Sequence, residues 1–383
     1  MKIKRLEYYD HAKGWHLEPV EFSNLNLLVG VSGVGKTKIL NAIFNLQEIA
    51  NGQSINGIEW EITFLTDENQ EYRWLGQFET FLKSETSLIY EFDDNSYDKP
   101  EITTESLFLN EDLLVKRERN IIEFQGNILP KLSAIESVIV IFKSEDIVRS
   151  AWNGFQQIIF SVENTASKNQ VYPVPFSMLL DKYPTMQGIV GSGLREQIKL
   201  ALIHNNVPEI FKEIKNKFIQ VFPTVGNIKI QPFNGKSSQK NSSAVNEFPV
   251  IYIKEKGVKT WISQEEISSG MYRTLISIAE LYLSPKGSLI IIDEFENSLG
   301  INCIDAVTED LILDQGDLQF VLTSHHPYII NNIPMDYWKI VTRKGGVVTV
   351  RNAKELNLGK SKHQAYLQLI NKLETYNEEA EVI

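Results

Sequence analysis

One eight-residue stretch constrains this chain more than any other feature: Gly30-Val31-Ser32-Gly33-Val34-Gly35-Lys36-Thr37. It matches G-x-x-x-x-G-K-[ST] in full. Its surroundings also fit. The run Leu25-Asn26-Leu27-Leu28-Val29 reads as a short apolar strand, and residues 35–50 place Ile39, Leu40, Ile43, Phe44 and Leu46 on one helical stripe. A strand that turns through glycines into a helix is the opening unit of an α/β fold with a parallel sheet. Glycines allow backbone N–H groups to close around phosphates, and the helix N-terminus adds a favourable dipole. Gly30, Ser32, Gly33, Val34 and Gly35 would line such an anion, Lys36 would reach the β- and γ-phosphates, and Thr37 would ligate Mg²⁺.

The rest of the pattern agrees with α/β. Residues 2–9 read as a strand, and 58–65 with 71–75 as a pair around the turn Asp67-Glu68-Asn69-Gln70. The stretch 91–105 reads as loop and short strand. From about 130 to 222 the pattern turns mostly helical, without the heptads of a coiled-coil arm. A strand is expected at 226–233, a loop or linker at 235–246, and a hairpin at 249–254 and 258–262. Helix (270–284), strand (288–293), helix (302–313) and strand (319–323) then alternate as βαβ units do, before a polar helical tail at 360–380. Three segments follow from this. Residues 1–129 form an N-terminal lobe with the phosphate loop, 130–245 a helical insertion and linker, and 246–383 a C-terminal lobe.

Three further motifs carry chemistry. In Leu289-Ile290-Ile291-Ile292-Asp293-Glu294 four apolar residues read as a strand buried on both faces, which puts Asp293 at its carboxyl end, where ligands bind in open α/β sheets. Asp293 would support Mg²⁺, and Glu294 could act on water as a general base. In Ile267-Ser268-Ser269-Gly270-Met271-Tyr272-Arg273, Ser268 is a good N-cap. Its hydroxyl and the N–H groups of Ser269 and Gly270 could equally grip a second γ-phosphate. In Thr323-Ser324-His325-His326-Pro327, a histidine at a strand end can hydrogen-bond a γ-phosphate or an attacking water.

Composition removes other classes. The single Cys303 excludes an internal disulfide framework and a cysteine-based zinc site. No apolar run approaches the roughly 18 residues of a membrane span, and Met1 to Tyr9 is charged and strand-like, so a cytoplasmic protein with no membrane association is expected. The net charge of −11 resides in residues 60–112, with 14 acids and 3 bases, while 339–363 holds seven bases against Glu355. Overall acidity therefore leaves nucleic acid open as a ligand of that basic stretch. No N-K-x-D base-reading motif supports a G protein.

Taken in order, the four motifs resemble those of ABC-type ATPase heads, in the branch of RecF, SMC and OLD-like proteins. Ser-Ser-Gly-Met-Tyr-Arg resembles that branch's S-[SGD]-G-x-x-R signature, and Thr-Ser-His-His-Pro its T-[ST]-H-[SH]-P switch. The resemblance covers about 1–50 and 246–345. It implies a two-lobed P-loop NTPase head that binds ATP and Mg²⁺ through Gly35, Lys36 and Thr37. Asp293 would support the metal, Glu294 would activate water, and His325 would sense the γ-phosphate. Ser268 and Gly270 would engage ATP held by another subunit, and Arg273 would brace the signature helix, so a homo-oligomer, at least a dimer, is implied. Glu296-Asn297-Ser298-Leu299 occupies the D-loop position, but Phe295 stands where a proline is usual and Gly300-Ile301 where His-Pro follows. Gln125 is the candidate for the family's Mg²⁺-sensing glutamine. The 58 residues after His325 are too few for the TOPRIM nuclease domain of OLD proteins. A stand-alone ATPase is expected, similar to those of anti-phage systems such as PARIS or Septu, in which a separate effector, such as a nuclease, does the damage. The alternative is a RecF/SMC-like ATPase that acts on DNA in repair or maintenance.

Overall fold

The computed structural model describes residues 1–81, 99–161, 175–233, 248–298 and 318–356. The expected linker at 235–246, the helix at 302–313, residues 299–301, Cys303 and the tail at 360–380 lie outside them. In chain order the strands are β1 (Lys2–Asp10), β2 (Trp15–Glu21), β3 (Leu25–Val29), β4 (Ile58–Leu65), β5 (Glu71–Phe78) and β6 (Ile102–Leu109). Then come β7 (Asp112–Glu118), β8 (Ile121–Phe124), β9 (Asn127–Ile128), β10 (Ile158–Ser161), β11 (Val225–Phe233) and β12 (Phe248–Glu255). The last are β13 (Ile262–Ser263), β14 (Leu289–Ile292), β15 (Gln319–Thr323), β16 (Trp338–Lys344) and β17 (Val347–Asn352).

Two compact units result. The first comprises the described parts of Met1–Phe160, Lys286–Asp293 and Asp314–Ile383. It is built on a 14-stranded sheet in the order β10-β14-β15-β3-β16-β17-β2-β1-β4-β5-β6-β7-β8-β9. β14, β15, β3 and β16 run parallel. β14, β15 and β3 are buried at every residue, as strands covered on both faces are. From β4 to β9 the sheet becomes an antiparallel meander. There alternation returns: Ile58, Trp60, Ile62 and Phe64 of β4 are buried and the residues between them are not. Trp60 meets Trp74 edge to face at 4.9 Å, and Phe155 packs against both Phe64 and Trp74 at 5.2 Å. The expected apolar stripe becomes the helix Lys36–Ala50, which buries Ile39, Leu40, Ile43 and Leu46, with Ile49, in the same core, while Phe44 of the expected stripe is exposed.

Buried polar groups pin distant segments of this unit. The Gln319 amide donates to the Ile3 carbonyl at 2.8 Å and accepts from its N–H at 2.7 Å. Glu105, fully buried, accepts from Ser137 Oγ (2.6 Å), Trp74 Nε1 (2.8 Å) and the Val138 N–H (3.0 Å), and it faces Arg117 at 3.5 Å. Burial pushes its carboxyl above the ordinary range, against the pull of Arg117.

The second unit comprises the described parts of Ser161–Pro285 and Glu294–Leu313. Its helices include Glu196–Asn206, Pro208–Val221 and Ser269–Leu283, beside a small antiparallel sheet in the order β11-β12-β13. Among the described residues the helical character expected for 130–222 holds, and one strand interrupts it. β10 arises there and forms one edge of the main sheet.

Candidate functional site

The phosphate loop follows β3 directly. Gly30 is required by space, because a Cβ there would lie 2.5 Å from the Val341 carbonyl oxygen. Gly35 is required by conformation and space together. It adopts φ +105°, and a Cβ would come within 3.1 Å of Val348. As the N-cap of Lys36–Ala50, Gly35 offers no side-chain acceptor, and the first helical turn holds no acid. The first-turn N–H groups thus have neither a capping side chain nor a neighbouring carboxylate, which suits an incoming anion. Lys36 is buried, and its ammonium donates to the carbonyls of Gly30 (2.8 Å) and Val31 (3.0 Å), folded across the loop. Ser32, Gly33 and Thr37 are exposed, while Val34 packs into the core.

Three parallel strands end beside this loop. Pairing sets Ile292 of β14 level with Leu322 of β15, and Thr323 level with Leu28 of β3. Asp293 leaves β14, His325 follows β15, and the loop leaves β3 at a common edge. Neighbouring strands lie about 4.8 Å apart, so Asp293 sits two strand spacings from β3, on the order of 10 Å. The buried Thr323 hydroxyl donates to Asp293 Oδ1 at 2.5 Å and orients that carboxylate. His325 is exposed, and Glu294 adopts φ +49°, a left-handed conformation uncommon for a non-glycine residue. Among the described residues no group of three or more His, Cys, Asp or Glu side chains could hold a metal by itself.

In the second unit, Ser268 caps the helix Ser269–Leu283: its Oγ accepts from the Met271 N–H at 3.2 Å. Ser268 and Ser269 are exposed. Tyr272 Oη donates to Gln197 Oε1 at 2.9 Å, which ties the helix start to Glu196–Asn206. Phe295, which follows Asp293-Glu294, is buried.

Two readings of the sequence gain no support from where their residues lie. Gln125 occupies the turn between β8 and β9, exposed, at φ +48°. That hairpin ends the sheet, nine strand positions beyond β3, and no strand pairing brings Gln125 to the loop. Its Phe-Gln-Gly-Asn context belongs to a hairpin turn. The basic stretch 339–363 is also less of a face than its count suggests. Lys339 is buried, its ammonium bound by the Glu21 carbonyl (2.6 Å) and Asn352 Oδ1 (2.8 Å), and Lys354 pairs with Asp336 at 3.1 Å. Lys360 and Lys362 lie outside the described residues.

Two residues that flank the site were not singled out from the sequence. Thr323 had a motif position but no role there. Trp15, buried in β2, approaches Gly35 and carries Lys38 Nζ 5.6 Å over its ring. Nothing in the loop motif points to a tryptophan twenty residues upstream.

The comparisons fit this geometry. Residues 189–331 match a family model described as "AAA domain, putative AbiEii toxin, Type IV TA system". That stretch contains the Ser268–Gly270, Asp293–Glu294 and His325 motifs, though not the phosphate loop. The fold is similar to an SMC head bound to the C-terminal winged-helix domain of ScpA, at 15% identity and TM-score 0.54, covering 92% of this chain and 97% of that one. It is also similar to an SMC head with an extended coiled coil bound to the C-terminal domain of ScpA from Pyrococcus furiosus, at 14% identity and TM-score 0.54, covering 93% and 97%. No curated protein matches the chain. The fold is that of a P-loop NTPase, and the family match over 189–331 adds support for an ATP-binding ATPase. Among the described residues no helix is long and apolar enough to cross a membrane.

Proposed function

We propose that this chain hydrolyses ATP and assembles with at least one further copy through shared ATP sites. In that state it controls a separate effector protein in phage defence. The observation that carries the catalytic part is the common edge formed by the loop after β3, Asp293 after β14 and His325 after β15, with Thr323 fixing Asp293.

In this reading Gly30, Ser32, Gly33, Val34 and Gly35 present N–H groups to the phosphates, and the Lys36 ammonium turns from the loop carbonyls to phosphate oxygens. Thr37 and Asp293 would hold Mg²⁺, which when bound neutralises charge on the phosphate oxygens. Glu294 accepts the proton of the attacking water, and His325 hydrogen-bonds the γ-phosphate. Ser268, Ser269 and Gly270 of another copy would supply N–H and hydroxyl donors to the same γ-phosphate. The ScpA-bound SMC heads support partner control, because heads of this fold carry a bound partner in those structures. The family model's description as a toxin of a Type IV TA system supports a role within a multi-protein system.

Lys36→Ala should lose ATP binding. Glu294→Gln should keep binding, lose turnover and accumulate as a larger species with ATP in light scattering. Co-purification from the native host should then recover the effector. Wild-type turnover by Glu294→Gln would refute the general-base assignment. An ATP-bound Glu294→Gln protein that stays monomeric would refute the shared site.

A further inference from the structure

The small sheet of the second unit has a face that ATP chemistry leaves unused. Alternation sorts β11 and β12 into two sides. Ile228, Ile230, Ile251 and Ile253 are buried, so Lys229, Tyr252 and Lys254 project from the opposite side, where each is partly exposed. Lys229 is paired directly across from Tyr252, and Trp261 immediately precedes β13. The Lys229 ammonium lies 5.1 Å from the Tyr252 ring centroid and 4.4 Å from that of Trp261, and the Lys254 ammonium lies 5.7 Å from Trp261. The turn beyond β12 adds Lys256 and Lys259, both exposed.

Acids are few in the strands that carry these charges. Residues 225–233 and 248–261 hold four lysines and one acid, Glu255, in a chain of net charge −11. Among the described residues none of the four lysines forms an ion pair. The carboxylate of Glu266 is taken up by the Ser263 N–H (3.0 Å) and Oγ (3.1 Å). Two ammonium groups gathered over one indole repel each other, and at such a site each gains only about 0.5–1 kcal/mol from the ring. A phosphate offers them a full negative charge instead, and leaves the two rings to take a planar partner.

We propose that this face binds single-stranded nucleic acid, with phosphates on Lys229, Lys254, Lys256 and Lys259 and bases stacked on Tyr252 and Trp261. Single-strand binders combine these two elements, a basic track and aromatic platforms. A duplex keeps its bases stacked inside and would leave the rings idle. The site stands apart from the ATPase reading and does not depend on it.

The test is fluorescence anisotropy of the full chain with labelled oligo(dT), the matching RNA, and duplex DNA over a salt series. Single strands should bind more tightly than duplex, with a negative log–log salt slope. Lys229→Gln with Lys254→Gln should flatten that slope by about 1.4, at roughly 0.7 for each phosphate left without its lysine. Trp261→Ala should weaken binding on the order of tenfold, and Trp261→Phe should retain most of it. ATP turnover and melting temperature should stay at wild-type values in the lysine double variant. Absence of single-strand binding at low salt, tighter binding of duplex, or an unchanged slope in the lysine double variant would each overturn the proposal.

Discussion

Glu280 gives the helix that begins at Ser268 a stability that depends on pH. The residue lies in Ser269–Leu283, and its Oε2 accepts from Ser161 Oγ at 2.8 Å. Burial pushes its carboxyl up to about 7 from an ordinary 4.5, Glu196 repels the ionised form further, and Ser161 and Lys199 pull the other way. A folded-state pKa raised on an acid means that the folded chain keeps a proton the unfolded chain has released. Stability contributed by the protonated form is therefore complete at and below pH 4.5 and is lost as pH rises towards about 7. At about 1.4 kcal/mol per pH unit, the loss approaches roughly 3 kcal/mol above that window. Glu280→Gln keeps an acceptor for Ser161 and removes the ionisation. Urea unfolding of both proteins at a series of pH values, with hydrogen exchange on the amides of Ser269–Leu283, measures the difference. The variant should match wild type near pH 4 and exceed it by up to about 3 kcal/mol near pH 8, with slower exchange in that helix. A difference between the two proteins that does not change with pH would mean that Glu280 binds its proton equally well in the folded and unfolded chain and that burial does not govern it.

Other consequences follow from single interactions. Thr323→Val removes the hydroxyl that orients Asp293, so Mg²⁺ titration of nucleotide binding should show an about 10–100-fold weaker affinity for the metal; an unchanged midpoint would separate Asp293 from the metal. Glu105→Ala strips Trp74, Ser137 and Val138 of their acceptor and leaves the Arg117 guanidinium buried without its carboxylate. It should cost about 3–5 kcal/mol in denaturant unfolding, and adding Arg117→Leu should recover part of the loss; a cost below about 1 kcal/mol would contradict the network. Lys339→Gln should lower stability by about 1.5–3 kcal/mol, from two broken charged hydrogen bonds, and leave nucleic-acid binding unchanged; weaker binding at constant stability would return this lysine to a surface role.

What the sequence by itself determined is what its neighbouring residues settle among themselves. The strand Leu25–Val29, the glycine turn and the helix Lys36–Ala50 form one contiguous unit, and helical spacing names Ile39, Leu40, Ile43 and Leu46 as residues the helix buries, though it also names Phe44, which is exposed. β14 and β15 are legible for the same reason, since unbroken apolar runs imply burial on both faces, and with them the strand ends that carry Asp293 and His325. The reading is weaker wherever a residue's fate depends on distant partners. Lys339 counts as one more positive charge until β17 supplies Asn352 and β2 supplies Glu21, on which its ammonium closes. Glu105 sits among the acids of 60–112, yet the fold places it against Arg117 and Trp74 in the core. Gln125 falls within Phe-Gln-Gly-Asn, and the hairpin of β8 and β9 carries it to the sheet's edge. The basic face on β11 and β12 needs two strands separated by the residues 234–247 to bring Lys229 over Tyr252 and Trp261. Only the tertiary structure decides these, because the cost of burying a charge and the gain from pairing it arise when strands far apart in the chain become neighbours.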